Sequence, residues 1–163
     1  MSEAEQLVRL IPRLRRYARA LLGDQAAADD LVQDTLERAW SRLHLFRHGS
    51  DLRAWLFTMM HNVYVNKVRA AHAADPLDEE MPELAQAPQQ DDALVLRDLD
   101  RAVSGLPSEQ RAVLLLVTLE NMSYEEVALT LGIPVGTVMS RLARAREKLR
   151  ATFFGRARLK VVS

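Results

Sequence analysis

The chain holds 163 residues, with 22 Lys and Arg against 22 Asp and Glu, four His, no Cys and a formal net charge of zero. That length suits one ordinary domain or two small ones, and the lack of cysteine excludes disulfides, thiolate metal sites and a cysteine nucleophile and fits a cytoplasmic protein. The zero balance hides segregation: residues 72–92 hold seven acids and no Lys or Arg, whereas residues 136–160 hold eight Lys or Arg against Glu147 alone, a pattern of local basic surface and separate acidic tract.

Leu7, Leu10, Ile11, Leu14, Tyr17, Ala18 and Leu21 recur at three- and four-residue steps and predict an amphipathic helix stopped by Gly23. Arg9, Arg13, Arg15, Arg16 and Arg19 interrupt it, so it does not read as a signal peptide, and no segment is apolar for long enough to insert in a membrane. A second helix is expected over residues 25–43, with Ala28, Leu31, Val32, Thr35, Leu36, Ala39, Trp40 and Leu43 as its apolar stripe and Asp30, Gln33, Asp34 and Glu37 opposite. FRHGSD, residues 46–51, is a loop with Asp51 as a cap for a third helix over residues 52–71. Leu52, Leu56, Met59, Met60 and Val63 form the apolar side of that helix. Asn62, Asn66 and Arg69 share another face at i, i+4 and i+7, flanked by Lys67 and Arg53, with no acid from residue 52 to 69. Three such helices can bury one small core.

Residues 72–91 combine acids, Ala and three Pro with little periodicity and read as a flexible acidic linker. Helices resume over residues 93–104, and Ser108 is expected to cap another reaching about residue 119. Ser123 with Glu126 forms a capping-box pattern, Val127, Ala128, Leu129 and Leu131 give a short helix its apolar side, and Gly132 and Pro134 separate it from a basic helix. GRARLKVVS follows as a tail. A short scaffold helix before a basic helix suits a major-groove reader, although basic helices are often only solvated faces. The expected fold is all-α: two small helical domains, 1–71 and 92–163, joined by the acidic linker at 72–91, the second domain containing a helix-turn-helix.

The motifs, in order, are DLVQDT at residues 30–35, Arg38-Ala39-Trp40, AWLF at residues 54–57, His61-Asn62, Leu106-Pro107 through Arg111, SYEEVA at residues 123–128 and GTVMSRLARAREKL at residues 136–149. In this order and spacing the chain resembles, over residues 7–149, the extracytoplasmic-function class of bacterial sigma factors in the sigma-70 family. The resemblance implies a transcription initiation factor that binds core RNA polymerase and directs it to promoters through the minus-ten and minus-thirty-five elements. Asp30, Gln33, Asp34 and Glu37 would then dock on the clamp helices of the largest subunit, with the flap region as a further polymerase contact. Arg53, Asn62, Asn66, Lys67 and Arg69 would meet the minus-ten element, where bases are turned out of the stack. Phe57 and Tyr64 are the aromatics available there, Trp55 being assigned to packing. Thr137, Met139, Ser140, Arg141, Arg144, Arg146 and Lys148 would meet the minus-thirty-five element, Met139 and Ala143 departing from residues common in relatives. The family also implies an anti-sigma partner. It implies no cofactor, no metal and no catalytic residue.

Two other readings compete. A regulator using only its C-terminal half for DNA would need a receiver-type sheet in residues 1–71, where no strand alternation occurs. An enzyme would need a site: His44 and His48 have helical metal-ligand spacing, but the pair runs into Gly49 with no third ligand evident, and no phosphate loop or nucleophile elbow is present.

Overall fold

The computed structural model describes residues 1–74 and 94–162, with side chains described for residues 1–73 and 97–153. The acidic tract from residue 75 to 93 lies outside the described residues. Those described form α1 (Glu3–Leu22), α2 (Gln25–Ser41), a 3-10 turn (Leu43–Leu45), α3 (Leu52–Ala74), α4 (Leu94–Ser104), α5 (Ser108–Thr118), α6 (Tyr124–Leu131) and α7 (Val135–Val162). Two compact units result, the first built on α1 to α3 and the second on α4, α5, most of α6, and α7.

In the first unit each helix starts where a side chain can take an orphan N–H. Ser2 accepts from Glu5 N–H at 3.2 Å, Asp24 from Ala26 and Ala27 at 3.3 and 3.4 Å, and Asp51 from Ala54 at 3.3 Å. Gly23 ends α1 at φ 73°, a left-handed value that a side chain would strain, and its N–H reaches the Arg19 carbonyl at 2.8 Å. The core is the periodic apolar set: Leu7, Leu14, Tyr17, Ala18 and Leu21 of α1, Ala28, Leu31, Val32 and Ala39 of α2, and Leu52, Leu56, Phe57, Met59, Met60 and Val63 of α3. Thr35 is buried among them because its hydroxyl donates to the Leu31 carbonyl at 2.8 Å. The rings of Tyr17 and Phe57 meet edge to face, centroids 5.3 Å apart.

Several expectations change here. Trp40 is 62% exposed rather than part of the stripe, because α2 ends at Ser41, one residue beyond it. Phe57 is buried and so is not available to an opened strand. Trp55 is half-buried against Phe46, centroids 5.4 Å apart, which agrees with a packing role. Helix α3 runs on to Ala74, into the stretch read as linker.

The second unit centres on α5, where Val113, Leu114, Leu115 and Leu116 are buried together with Ala112. Arg111, 5% exposed, donates from Nε to the Val103 carbonyl at 3.1 Å and from Nη2 to the Ser104 and Leu106 carbonyls at 2.7 and 2.6 Å. It thereby satisfies the C-terminal carbonyls of α4 with a buried guanidinium. Ser108 is not the cap: Pro107 holds that position, and no side chain bonds to the helix start. Asn121, at φ 51°, reverses the chain after α5 and places buried Met122 with its N–H on the Leu116 carbonyl at 3.1 Å; Asn tolerates this region better than most residues.

Candidate functional surfaces

Asp30 and Asp34 sit one turn apart on α2, with side chains 65% and 41% exposed; Gln33 and Glu37 are exposed beside them. The four therefore form one polar ridge of the first unit. Carboxylates and an amide on a rigid helix suit a partner bearing arginines, whose planar forks bind carboxylate in a bidentate manner.

On α3, Asn62, Asn66 and Arg69 are exposed and Arg53 is half-buried. Lys67 bridges the two surfaces. Its Nζ lies 2.7 Å from Asp30 Oδ2 and 2.6 Å from Asp34 Oδ2. The cation assigned to DNA is thus seated on the carboxylates assigned to the polymerase. The hydrogen bonds that its ammonium donates to Asp30 and then to Asp34 raise the Lys67 pKa above its ordinary 10.5. A lysine with a raised folded-state pKa stabilises the fold fully below its unfolded value, and the contribution disappears as pH climbs through the folded value. We therefore expect the stability difference between wild type and Lys67→Gln to be constant through the neutral range and to fall away in strong alkali, as followed by urea unfolding at stepped pH. The pairs are substantially exposed, so that difference is small, at most about 1 kcal/mol.

The second unit presents a helix-turn-helix. The Ser123 hydroxyl accepts from Glu126 N–H at 3.1 Å at the start of α6. Gly132, at φ 67°, ends it, and the Pro134 carbonyl receives Thr137 and Val138 N–H at 3.0 and 3.2 Å to begin α7. Val138, Leu142 and Ala145 are buried at the three- and four-residue steps that fix the inner face of α7. Met139, Ser140, Ala143, Arg144, Arg146, Lys148 and Arg150 are left exposed outside, with Thr137 half-buried. Helix α7 continues through the stretch read as a tail, to Val162. Arg141 is partly withdrawn from this surface, its Nη2 lying 3.6 Å from Glu109 Oε2 on α5. Leu129, expected on the apolar side of α6, is 81% exposed.

His48 Nδ1 stands 2.6 Å from Glu3 Oε1. Among the described residues no group of three or more His, Cys, Asp or Glu side chains is placed to hold a metal, and no helix is long and apolar enough to cross a membrane. The arrangement offers docking surfaces: an acidic ridge and an amide-rich face on one unit, and a basic helix on the other.

The chain is similar to known proteins in sequence and in fold. Residues 7–61 match the family described as the Sigma2 domain of PhyR, and residues 88–149 match Sigma-70, region 4. The ECF RNA polymerase sigma factor EcfG of Rhodopseudomonas palustris is 37% identical over 155 residues, covering 94% of this chain and 86% of that protein. The sigma factor RpoE, solved with the anti-sigma factor NepR from Bartonella quintana, superposes with a TM-score of 0.81 at 35% identity, covering 92% of this chain and 95% of that one. CnrH, solved with the cytosolic domain of CnrY, gives a TM-score of 0.68 at 29% identity, covering 93% and 87%.

Proposed function

The chain belongs to the extracytoplasmic-function RNA polymerase sigma factors, and we propose that it works as one through three surfaces. The α2 ridge of Asp30, Gln33, Asp34 and Glu37 docks on core polymerase. The α3 face of Asn62, Asn66, Arg69 and Arg53 receives the minus-ten strand, amides bonding base edges and guanidinium groups holding phosphate. The exposed side of α7 enters the major groove of the minus-thirty-five element, with Arg144 placed for a guanine and Arg146 and Lys148 for phosphates. The working division is a polymerase and minus-ten domain at 1–71, an acidic linker at 72–91 and a minus-thirty-five domain at 92–163. The protein performs no chemistry of its own and acts in the cytoplasm, where core polymerase and promoter DNA are found.

The observation that carries this reading is the exposed basic row of α7 in a chain that also bears the acidic ridge. It separates a sigma factor from a decoy of one. The first unit matches a domain named for PhyR, and a protein that only captured an anti-sigma factor would have no use for a groove-reading helix. RpoE is solved with the anti-sigma factor NepR and CnrH with the cytosolic domain of CnrY; in our reading this chain too has an anti-sigma partner, which covers its polymerase and DNA surfaces until a signal releases it. Adding such a partner should remove both core binding and transcription; a complex that still transcribes would contradict this part of the reading.

Arg144→Ala tests the DNA surface. With core polymerase present, affinity for the cognate upstream element should fall by about 1–3 kcal/mol and discrimination at one base pair should relax. Equal loss on all sequences, seen by competition binding, would make Arg144 a phosphate contact instead.

A further inference from the structure

Lys67 belongs to both surfaces of the first unit. It rises from α3 between exposed Asn66 and Arg69, yet its ammonium rests 2.7 and 2.6 Å from the two carboxylates of α2. Resting there, it occupies Oδ2 of Asp30 and of Asp34, oxygens that a cationic partner would bind, and its own charge is paired away from phosphate. We propose that this bridge is an interlock between polymerase docking and promoter binding: polymerase displaces Lys67 from Asp30 and Asp34, and the released ammonium takes a phosphate of the minus-ten strand. The proposal rests on the reading of α2 as the polymerase-facing helix.

The chemistry favours such an exchange. Each ion pair is partly exposed and individually weak, so the bridge can be broken without disturbing the packed core. An ammonium is a compact charge on a flexible stem, whereas an incoming guanidinium offers a fork that matches a carboxylate in two bonds. A partner's arginine therefore outcompetes Lys67 for the same oxygens. The lysine stem lets the head move with no change in the backbone of α3. With its pKa raised above 10.5 by the two carboxylates, the head remains charged near neutral pH. Its effect is ordering: the free protein lacks one phosphate contact that the assembled polymerase complex has.

Two substitutions at one position should act in opposite directions on core binding. Lys67→Gln frees the carboxylates and should tighten core polymerase binding by roughly 3- to 10-fold, about 0.6–1.4 kcal/mol. Lys67→Arg grips them with a fork of its own and should weaken it. Fluorescence titration of labelled protein with purified core polymerase reads both, with urea unfolding midpoints that move by no more than the small loss expected of an exposed ion pair as the check on the fold. The second arm uses a fluorescent mixed-sequence single-stranded DNA dodecamer titrated with the reconstituted holoenzyme at several salt concentrations. Loss of one phosphate contact in the Lys67→Gln holoenzyme should make the log–log salt slope shallower by about 0.7. In the free protein the same substitution should leave the slope unchanged. Core affinity that is unchanged or weaker in Lys67→Gln, or an identical slope in the two holoenzymes, overturns the interlock. If Asp34→Arg also leaves core binding intact, the docking reading fails with it; if Asp34→Arg weakens core binding, only the interlock falls.

Discussion

Arg111→Ala is expected to unfold the second unit while leaving the first folded. Arg111 is 5% exposed, and its guanidinium binds the carbonyls of Val103, Ser104 and Leu106 at 2.6 to 3.1 Å. Those groups end α4 and carry the chain into α5, so one side chain fastens two helices. Hydrogen bonds to charged groups contribute about 1.5–3 kcal/mol each, and a buried acceptor left unpaired adds its own desolvation cost. The effects are not additive, but a loss of about 3–5 kcal/mol is expected. A domain of this size has total stability of about 5 kcal/mol, so little is left. Urea unfolding should then show one surviving transition, that of α1 to α3, and the protein should keep core binding through α2 while losing minus-thirty-five binding. Arg111→Lys should rescue only in part, since an ammonium lacks the fixed fork that reaches all three carbonyls. A fully retained second transition in Arg111→Ala would show that the α4–α5 junction is held by other contacts.

Asp34→Arg should have the largest effect on function with the fold intact. It removes one of the three carboxylates from the exposed ridge and sets a guanidinium beside Lys67, which Asp34 now holds at 2.6 Å. Toward a partner presenting arginines, attraction at that point becomes repulsion. Truncating one member of a hydrogen-bonded charge pair typically costs 2–5 kcal/mol in binding, and reversal costs at least as much, so core affinity should fall at least about 30-fold. Since 41% of the side chain is exposed, the unfolding midpoint should move little. Core titration beside a urea curve distinguishes the two quantities. Unchanged affinity would take Asp34 out of the docking surface.

How far the chain could be read in advance depended on the range of the interaction. Ser123, Gly132 and Pro134 mark the helix-turn-helix because capping and φ preference act within a few residues. Periodicity likewise anticipated most of the buried sets of α1 and α3. It failed at helix ends and in short helices. Trp40 occupies a stripe position in the last turn of α2, and Leu129 lies in a helix of only eight residues; both are exposed. A period says which residues share a face but not how far the neighbouring helix extends over it. Phe57 was misplaced for the converse reason, since its partner Tyr17 comes from α1, forty positions earlier. Ser108 looked like a cap because the residue type is right, but Pro107 had already fixed the helix start one residue sooner. The Lys67 bridge spans 37 positions and depends on the rotation of α3 against α2. Spacing gave each residue its face, but not the contact between those faces. Arg111 stood inside a recognised motif with no role attached, because its acceptors are backbone carbonyls, which leave no signature in the side-chain sequence.

The most direct measurement is run-off transcription on a genomic fragment pool with purified core polymerase and this protein, with starts mapped by sequencing. The account predicts starts preceded by two spaced elements shared among them, present only when both proteins are added and lost with Asp34→Arg. Specific DNA binding by the protein alone, with no new starts when core polymerase is supplied, would contradict it.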